Sequence, residues 1–217
     1  MENSPVKPSR TDRFGIVAVL AYAGPIALAS LLACGSNNPA EPQGAATTAM
    51  AVAPTALRWQ SFQGVDLPVA QEGPGRIDSV VATGFDRGPA GAALAAIHST
   101  VRMSIATDSQ WPLVGQRMLA TGRGRDRWAT ARAQISITAP IATGAPKVLG
   151  YTITRYVLDA ADVEIYSIHP DDSVIRNSTR VIWQDDDWRL LVPEDPMASS
   201  VTAVDLPPAE MVALAQR

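Results

Sequence analysis

Hydrophobic and polar residues follow several distinct rhythms along this chain. Residues 1–13 are polar and carry Lys7, Arg10 and Arg13; residues 14–33, FGIVAVLAYAGPIALASLLA, then run twenty positions without a charge. As a helix rising about 1.5 Å per residue, such a run crosses a hydrocarbon core of about 30 Å. The basic flank stays in the cytoplasm, so the downstream residues face outward. Residues 35–56 are rich in Ala, Pro, Thr and Gly, with Glu41 the sole charge and no aromatic side chain. Nothing there offsets the entropy of ordering, and the stretch reads as a disordered spacer. From residue 57 to 217 the pattern is that of one packed domain of ordinary size.

Within that domain the periodicity changes once more. Residues 59–62 predict a short strand, residues 64–75 an irregular stretch dense in Gly and Pro, and residues 76–83 a second short strand. Gly88-Pro89 opens a helix, with proline in the first turn where its missing N–H costs nothing. Ala93, Leu94, Ile97, Val101 and Ile105 recur at three- and four-residue steps, which carries that helix to about 105. A second helix is predicted from Asp108 or Ser109 to about 120, with Pro112 in its first turn, and a third over 125–135. After Pro140 alternation takes over. Strands are predicted at 147–158, 162–168, 174–184 and 188–192, with turns at 169–172 and at Asp185-Asp186-Asp187. A last helix is predicted over 207–216, capped by Asp205.

Four strands joined by short turns form an antiparallel meander. Helices first and strands after imply an α+β fold, with N-terminal helices packed on a curved four-stranded meander. That arrangement is similar to the cystatin-like or nuclear-transport-factor-2-like cone, here preceded by a signal or anchor helix.

The end of the apolar run adds chemistry. Leu31-Leu32-Ala33-Cys34, followed by Gly35-Ser36-Asn37-Asn38, resembles a bacterial lipobox, in which Cys34 is lipidated and becomes the mature N-terminus. Residues 1–34 therefore read as a lipoprotein signal peptide or as an uncleaved membrane anchor. Either holds the domain to lipid, and a two-chain lipid suffices for stable attachment. Cys34 is the only cysteine, so no internal disulfide forms.

Charge excludes more than it suggests. The net charge is −3, and residues 34–217 hold 15 basic and 19 acidic side chains, a balance of −4. Direct nucleic-acid binding, which rests on basic surface, is not expected. Two histidines, His98 and His169, and one cysteine offer no zinc spacing, and no phosphate loop, nucleophile elbow or dinucleotide fingerprint occurs. No catalytic residue, metal or cofactor is expected. His98 falls in the alanine-rich helix as a structural residue, and the aspartate runs read as solvated hairpin turns. The candidate interaction residues are Arg117, Arg123, Arg125 and Arg127, with Arg132 nearby, and Trp111 and Trp128. The arginines form one basic cluster, read either as a solvated face with local salt bridges, the commoner case, or as a contact for an anion or a partner protein; exposed tryptophans would mark an interface, and core packing is their commoner fate.

Two runs carry a family resemblance. One is Trp59-Gln60, Gly64-Val65-Asp66-Leu67-Pro68, Gly73-Pro74, Gly84-Phe85 and 88–96. The other is Val181-Ile182-Trp183-Gln184, Asp187-Trp188-Arg189-Leu190 and Pro193. They resemble an actinobacterial family of membrane-tethered proteins of unknown function, associated with integrative conjugative elements and similar to cystatin-like subunits of conjugation machines. The resemblance implies a role by protein–protein assembly and carries over no catalytic residue. The expected function is thus a membrane-tethered extracytoplasmic interaction module, plausible as an accessory of a DNA-transfer apparatus, with envelope proteins as partners. The alternatives are a ligand-binding or enzymatic cone with an internal polar pocket, and a cell-wall-associated lipoprotein.

Overall fold

The structure is a computed structural model and describes residues 50–195 and 199–215. The expected signal or anchor segment with Cys34, and residues 35–49 of the expected spacer, lie outside the described residues. No helix among the described residues is long and apolar enough to cross a membrane.

The domain opens with two small hairpins, β1 (Arg58–Phe62) with β2 (Val65–Val69), and β3 (Arg76–Asp78) with β4 (Val81–Thr83). Three helices come next: α1 (Pro89–Ile105), α2 (Trp111–Met118) and α3 (Arg123–Arg132). The rest is strand: β5 (Lys147–Val157), β6 (Ala160–Ile168), β7 (Val174–Gln184), β8 (Asp187–Leu190), β9 (Val201–Val204) and β10 (Val212–Ala213). The last six form one antiparallel sheet in the order β10-β5-β6-β7-β8, with β9 also paired to β7.

This corrects the expected architecture. The domain is mostly β, with ten strands among the described residues, and is not a set of helices packed on a four-stranded meander of the cystatin-like or nuclear-transport-factor-2-like kind. The predicted meander forms only the middle of a larger sheet. Residues 65–69, read as irregular because of Gly64 and Pro68, pair with β1, Pro68 lying opposite Trp59. The expected helix over 207–216 does not form. Pro207 and Pro208 remove two N–H donors and bias the preceding backbone to extended angles. The open edge of β5 then takes Val212 and Ala213 opposite Tyr151 and Gly150, and Leu214 N–H donates to Leu149 O at 2.8 Å.

The sheet has two differently covered faces. Tyr151, Ile153, Val163, Ile165 and Val181 are buried on the face toward α1. Gly150, one residue out of phase, faces the other way. A side chain there would collide with Met211 and with the carbonyl of Val212. Met211, at the end of the connection from β9 to β10, therefore packs its side chain on the face opposite α1.

Residues 50–56, read from the sequence as the end of the spacer, are tied to the domain. Met50 N–H donates to Ile153 O at 3.0 Å, and the Tyr151 hydroxyl donates to Val52 O. The Thr55 N–H and hydroxyl donate to the two Glu72 carboxylate oxygens at 2.9 and 2.8 Å. These bonds hold the Glu72 carboxyl below its ordinary value against the opposing effect of partial burial.

Helix α1 is enclosed on every side over its first three turns. Each residue from Ala90 to Ser99 is buried, and the small alanines let strand backbone approach closely. His98 is fully buried, its Nε2 2.8 Å from Pro68 O, so that Nε2–H donates and Nδ1 stays unprotonated. Arg102, one turn on, donates to Val80 O at 2.8 Å and lies 4.2 Å over the Phe62 ring. Burial, aided by the Arg102 charge, pushes the His98 imidazole down to about 3 against the pull of the Pro68 bond. The folded protein thus resists a proton that the unfolded chain accepts near pH 6.5. Stability is complete above about pH 6.5 and falls as pH drops toward 3. Urea unfolding across that range should show this loss. In His98→Gln, which keeps a donor but does not titrate, the part of the slope due to His98 should vanish.

Candidate functional site

The hairpin turn between β7 and β8 organises a highly charged groove. Gln184 and Asp187 face each other across a two-residue loop, and Asp185 and Asp186 both have positive φ, 52° and 56°. That is the left-handed pair of a type I′ turn, which Asn-Gly fits better than Asp-Asp. Asp187 points inward. Its carboxylate accepts the N–H of Gly84 at 2.8 Å and of Phe85 at 3.1 Å, fastening the β4–α1 connection to the hairpin.

Arg189 joins the same turn to α2. It lies 3.0 Å from the Asp185 carboxylate and donates to Gln184 O at 3.3 Å and to Gln116 O at 3.2 Å. Gln184 also holds Thr121, through its amide nitrogen at 2.6 Å and its carbonyl oxygen at 3.1 Å. Leu119 and Ala120 then dock on Leu190, Ala120 N–H donating to its carbonyl at 2.9 Å. Helix α3 is placed by Gly124, where a Cβ would lie 1.9 Å from Val192 O.

The result is a groove of about 720 Å³ onto which Arg76 of β3, Arg117 of α2, Arg125 of α3 and Arg189 of β8 converge, with Asp185, Asp186 and Asp187 on the hairpin side. Arg125 has a partner in Asp126 at 3.6 Å. Arg76 and Arg117 have no carboxylate within 4 Å among the described residues.

The structure divides the arginine cluster expected from the sequence. Arg117 and Arg125 reach this groove. Arg123 pairs with Glu194 at 2.8 Å and Arg127 pairs with Asp195, both beside a separate depression. Arg132 is buried, donating to Ala106 O at 2.7 Å and to Ile135 O at 2.5 Å, with Asp108 at 3.4 Å. The Asp108 carboxyl is held below its ordinary value, first by the Ile137 N–H and the Ser136 hydroxyl and then by Arg132. Trp111 and Trp128 are half-buried against each other, edge to face at 5.9 Å, with Trp128 resting on Gly115. They join α2 to α3 and do not line the groove. Cys34 lies outside the described residues.

Arg76, Arg189 and the aspartates were not read as site residues from the sequence. Arg76 lies some forty positions before Arg117, and linear spacing holds no signal of their meeting. Among the described residues no group of three or more His, Cys, Asp or Glu side chains is placed to hold a metal ion. What the arrangement offers is recognition, through guanidinium groups gathered on an open surface, Arg189 held by three contacts and Arg76 and Arg117, unpaired among the described residues, free to meet a partner.

A mostly β domain bearing a groove of both charge signs is the class that fold and site define. The chain belongs to the family of a domain of unknown function, DUF8175, whose family model matches residues 27–207. No curated protein and no solved structure matches it.

Two outcomes test this geometry. Replacing Asp185-Asp186 by Asn-Gly relieves two strained φ angles and should stabilise the domain by roughly 0.5–1 kcal/mol, read as a higher urea midpoint at unchanged m value. Gly124→Ala should destabilise it by about 1–3 kcal/mol, because backbone must move to admit the methyl group.

Proposed function

We propose that this protein is a non-enzymatic, membrane-tethered, extracytoplasmic interaction module whose working surface is the arginine groove. The observation that carries the reading is the convergence of four guanidinium groups from four separate elements on one open groove, two of them without an internal carboxylate partner among the described residues. Arginines held this way are suited to intermolecular pairing.

The tether rests on the charge-free run 14–33 and on Cys34 with its lipobox-like surroundings. Envelope proteins are the proposed partners, and lipid is met through the N-terminus alone. A place in a DNA-transfer apparatus is proposed from the family resemblance only.

A second reading has an observation of its own. A cavity of about 690 Å³ lies beside α1, walled by Met103, Val163, Leu190, Val192 and Val201. Its size and apolar lining suit a small ligand. The acidic residues lining it, Asp162 and Glu164, are already paired with Arg180 and Arg176, so this reading is of binding and not of catalysis.

Fractionation and crosslinking test the first reading. The full chain should sediment with membranes, and a C-terminal reporter should be active only outside the cytoplasm. A photo-crosslinker at Gln116 should capture a discrete envelope partner, and Arg76→Glu with Arg117→Glu should abolish that capture. A chain found freely soluble in the cytosol, or crosslinking indifferent to both charge reversals, would sink the proposal.

A further inference from the structure

We infer that the groove takes an acidic peptide segment of a partner protein, its carboxylates received by Arg76, Arg117 and Arg125. The inference rests on the reading of the groove as the working surface and adds what that surface recognises. Arg189 is committed to Asp185 and to two carbonyls. Arg125 has only exposed Asp126, at 3.6 Å, and Arg76 and Arg117 have no carboxylate within 4 Å among the described residues. A planar guanidinium with two free edges matches a carboxylate in bidentate fashion.

The walls also select against other anions. A phosphate site built from backbone uses a nest of free N–H groups. Several N–H groups at this groove are already spent: those of Gly84 and Phe85 on Asp187, that of Gly75 on Gly84 O, that of Thr121 on Gln184. Asp185 and Asp186, on the hairpin side of the groove, repel a polyanion such as nucleic acid, whose binding scales with uncompensated basic surface. An extended peptide keeps its acidic side chains apart, so its carboxylates can meet the arginines while uncharged residues pass the aspartates. Asp186, unpaired with any basic group among the described residues, also favours a basic or N–H-donating group in the same segment.

The test uses the full chain in lipid nanodiscs and a fluorescent dodecapeptide alternating Glu and Ser, compared with its Gln-Ser counterpart and with single-stranded DNA of twelve nucleotides. At low salt the Glu peptide should bind at least about tenfold more tightly than either, and added salt should weaken it. Arg76→Ala and Arg117→Ala should each raise Kd about three- to tenfold, as loss of a partly exposed ion pair allows. Arg123→Ala, on the other face of α3, should leave Kd unchanged, and unchanged melting temperatures show that all three variants fold. Equal binding of the Glu and Gln peptides, tighter binding of the DNA, or indifference to both arginine substitutions overturns the inference. If the Glu peptide fails while crosslinking from Gln116 still depends on Arg76 and Arg117, only the partner class is wrong. If both fail, the groove is not the working surface.

Discussion

A helical stretch with no solvent face has to be enclosed, and the domain is built by enclosing the first three turns of α1. Its residues from Ala90 to Ser99 are buried, mostly by methyl groups, so the helix packs against strand backbone from several directions at once. The large sheet covers one side, β2 another, and β4 and α2 close the remainder. Enclosure then dictates the polar chemistry inside. His98 must be neutral and must donate to Pro68, and Arg102 must find carbonyl and aromatic partners because no carboxylate reaches it among the described residues. Burial lowers the Arg102 guanidinium to about 10, a measure of how little water it retains. Helix and hairpins therefore hold each other in register through polar contacts as much as through apolar area.

Local features of the chain foretold local structure well and assembly poorly. Pro89 after Gly88 marks the start of α1, and strict alternation marks β5 to β8, because both signals depend on neighbours in sequence. The two ends of the domain mislead for a shared reason. Pro68 in β2 and Pro207-Pro208 before β10 suggest breaks or helix starts when read alone, yet each segment finds a strand edge that needs few of its N–H groups. Val201 to Val204 is short and has no clear alternation of polarity, so β9 depends wholly on the open edge of β7. Such long-range pairing has no periodicity to announce it, and with it the total of six strands in the main sheet was hidden.

The site was half legible. A run of arginines between 117 and 132 stands out in any reading of charge. Proximity in sequence, however, sends successive side chains of a helix to different faces. Arg125 therefore parts from Arg123 and Arg127, and Arg132 is drawn inside to close Ala106 and Ile135. Arg76 and Arg189 join only because Asp187 pins the β4–α1 loop and Arg189 bridges to α2. A groove with both charge signs also resolves a conflict between net and local charge. A domain of net negative charge can still present unpaired arginines, provided its carboxylates are committed elsewhere or held on one wall.

The anchoring of residues 50–56 along β5 sets the length of the leash. Under the proposed attachment at Cys34, only residues 35–49, fifteen links, separate the lipid from the domain, since Met50 is already stitched to Ile153. Stretched fully, a chain of that length reaches roughly 50 Å; a random coil of it averages nearer 20 Å. Under that attachment the groove would stay within a thin shell above the bilayer. A tug from the lipid side would then enter at β5, where Met50 meets Ile153 and the Tyr151 hydroxyl meets Val52.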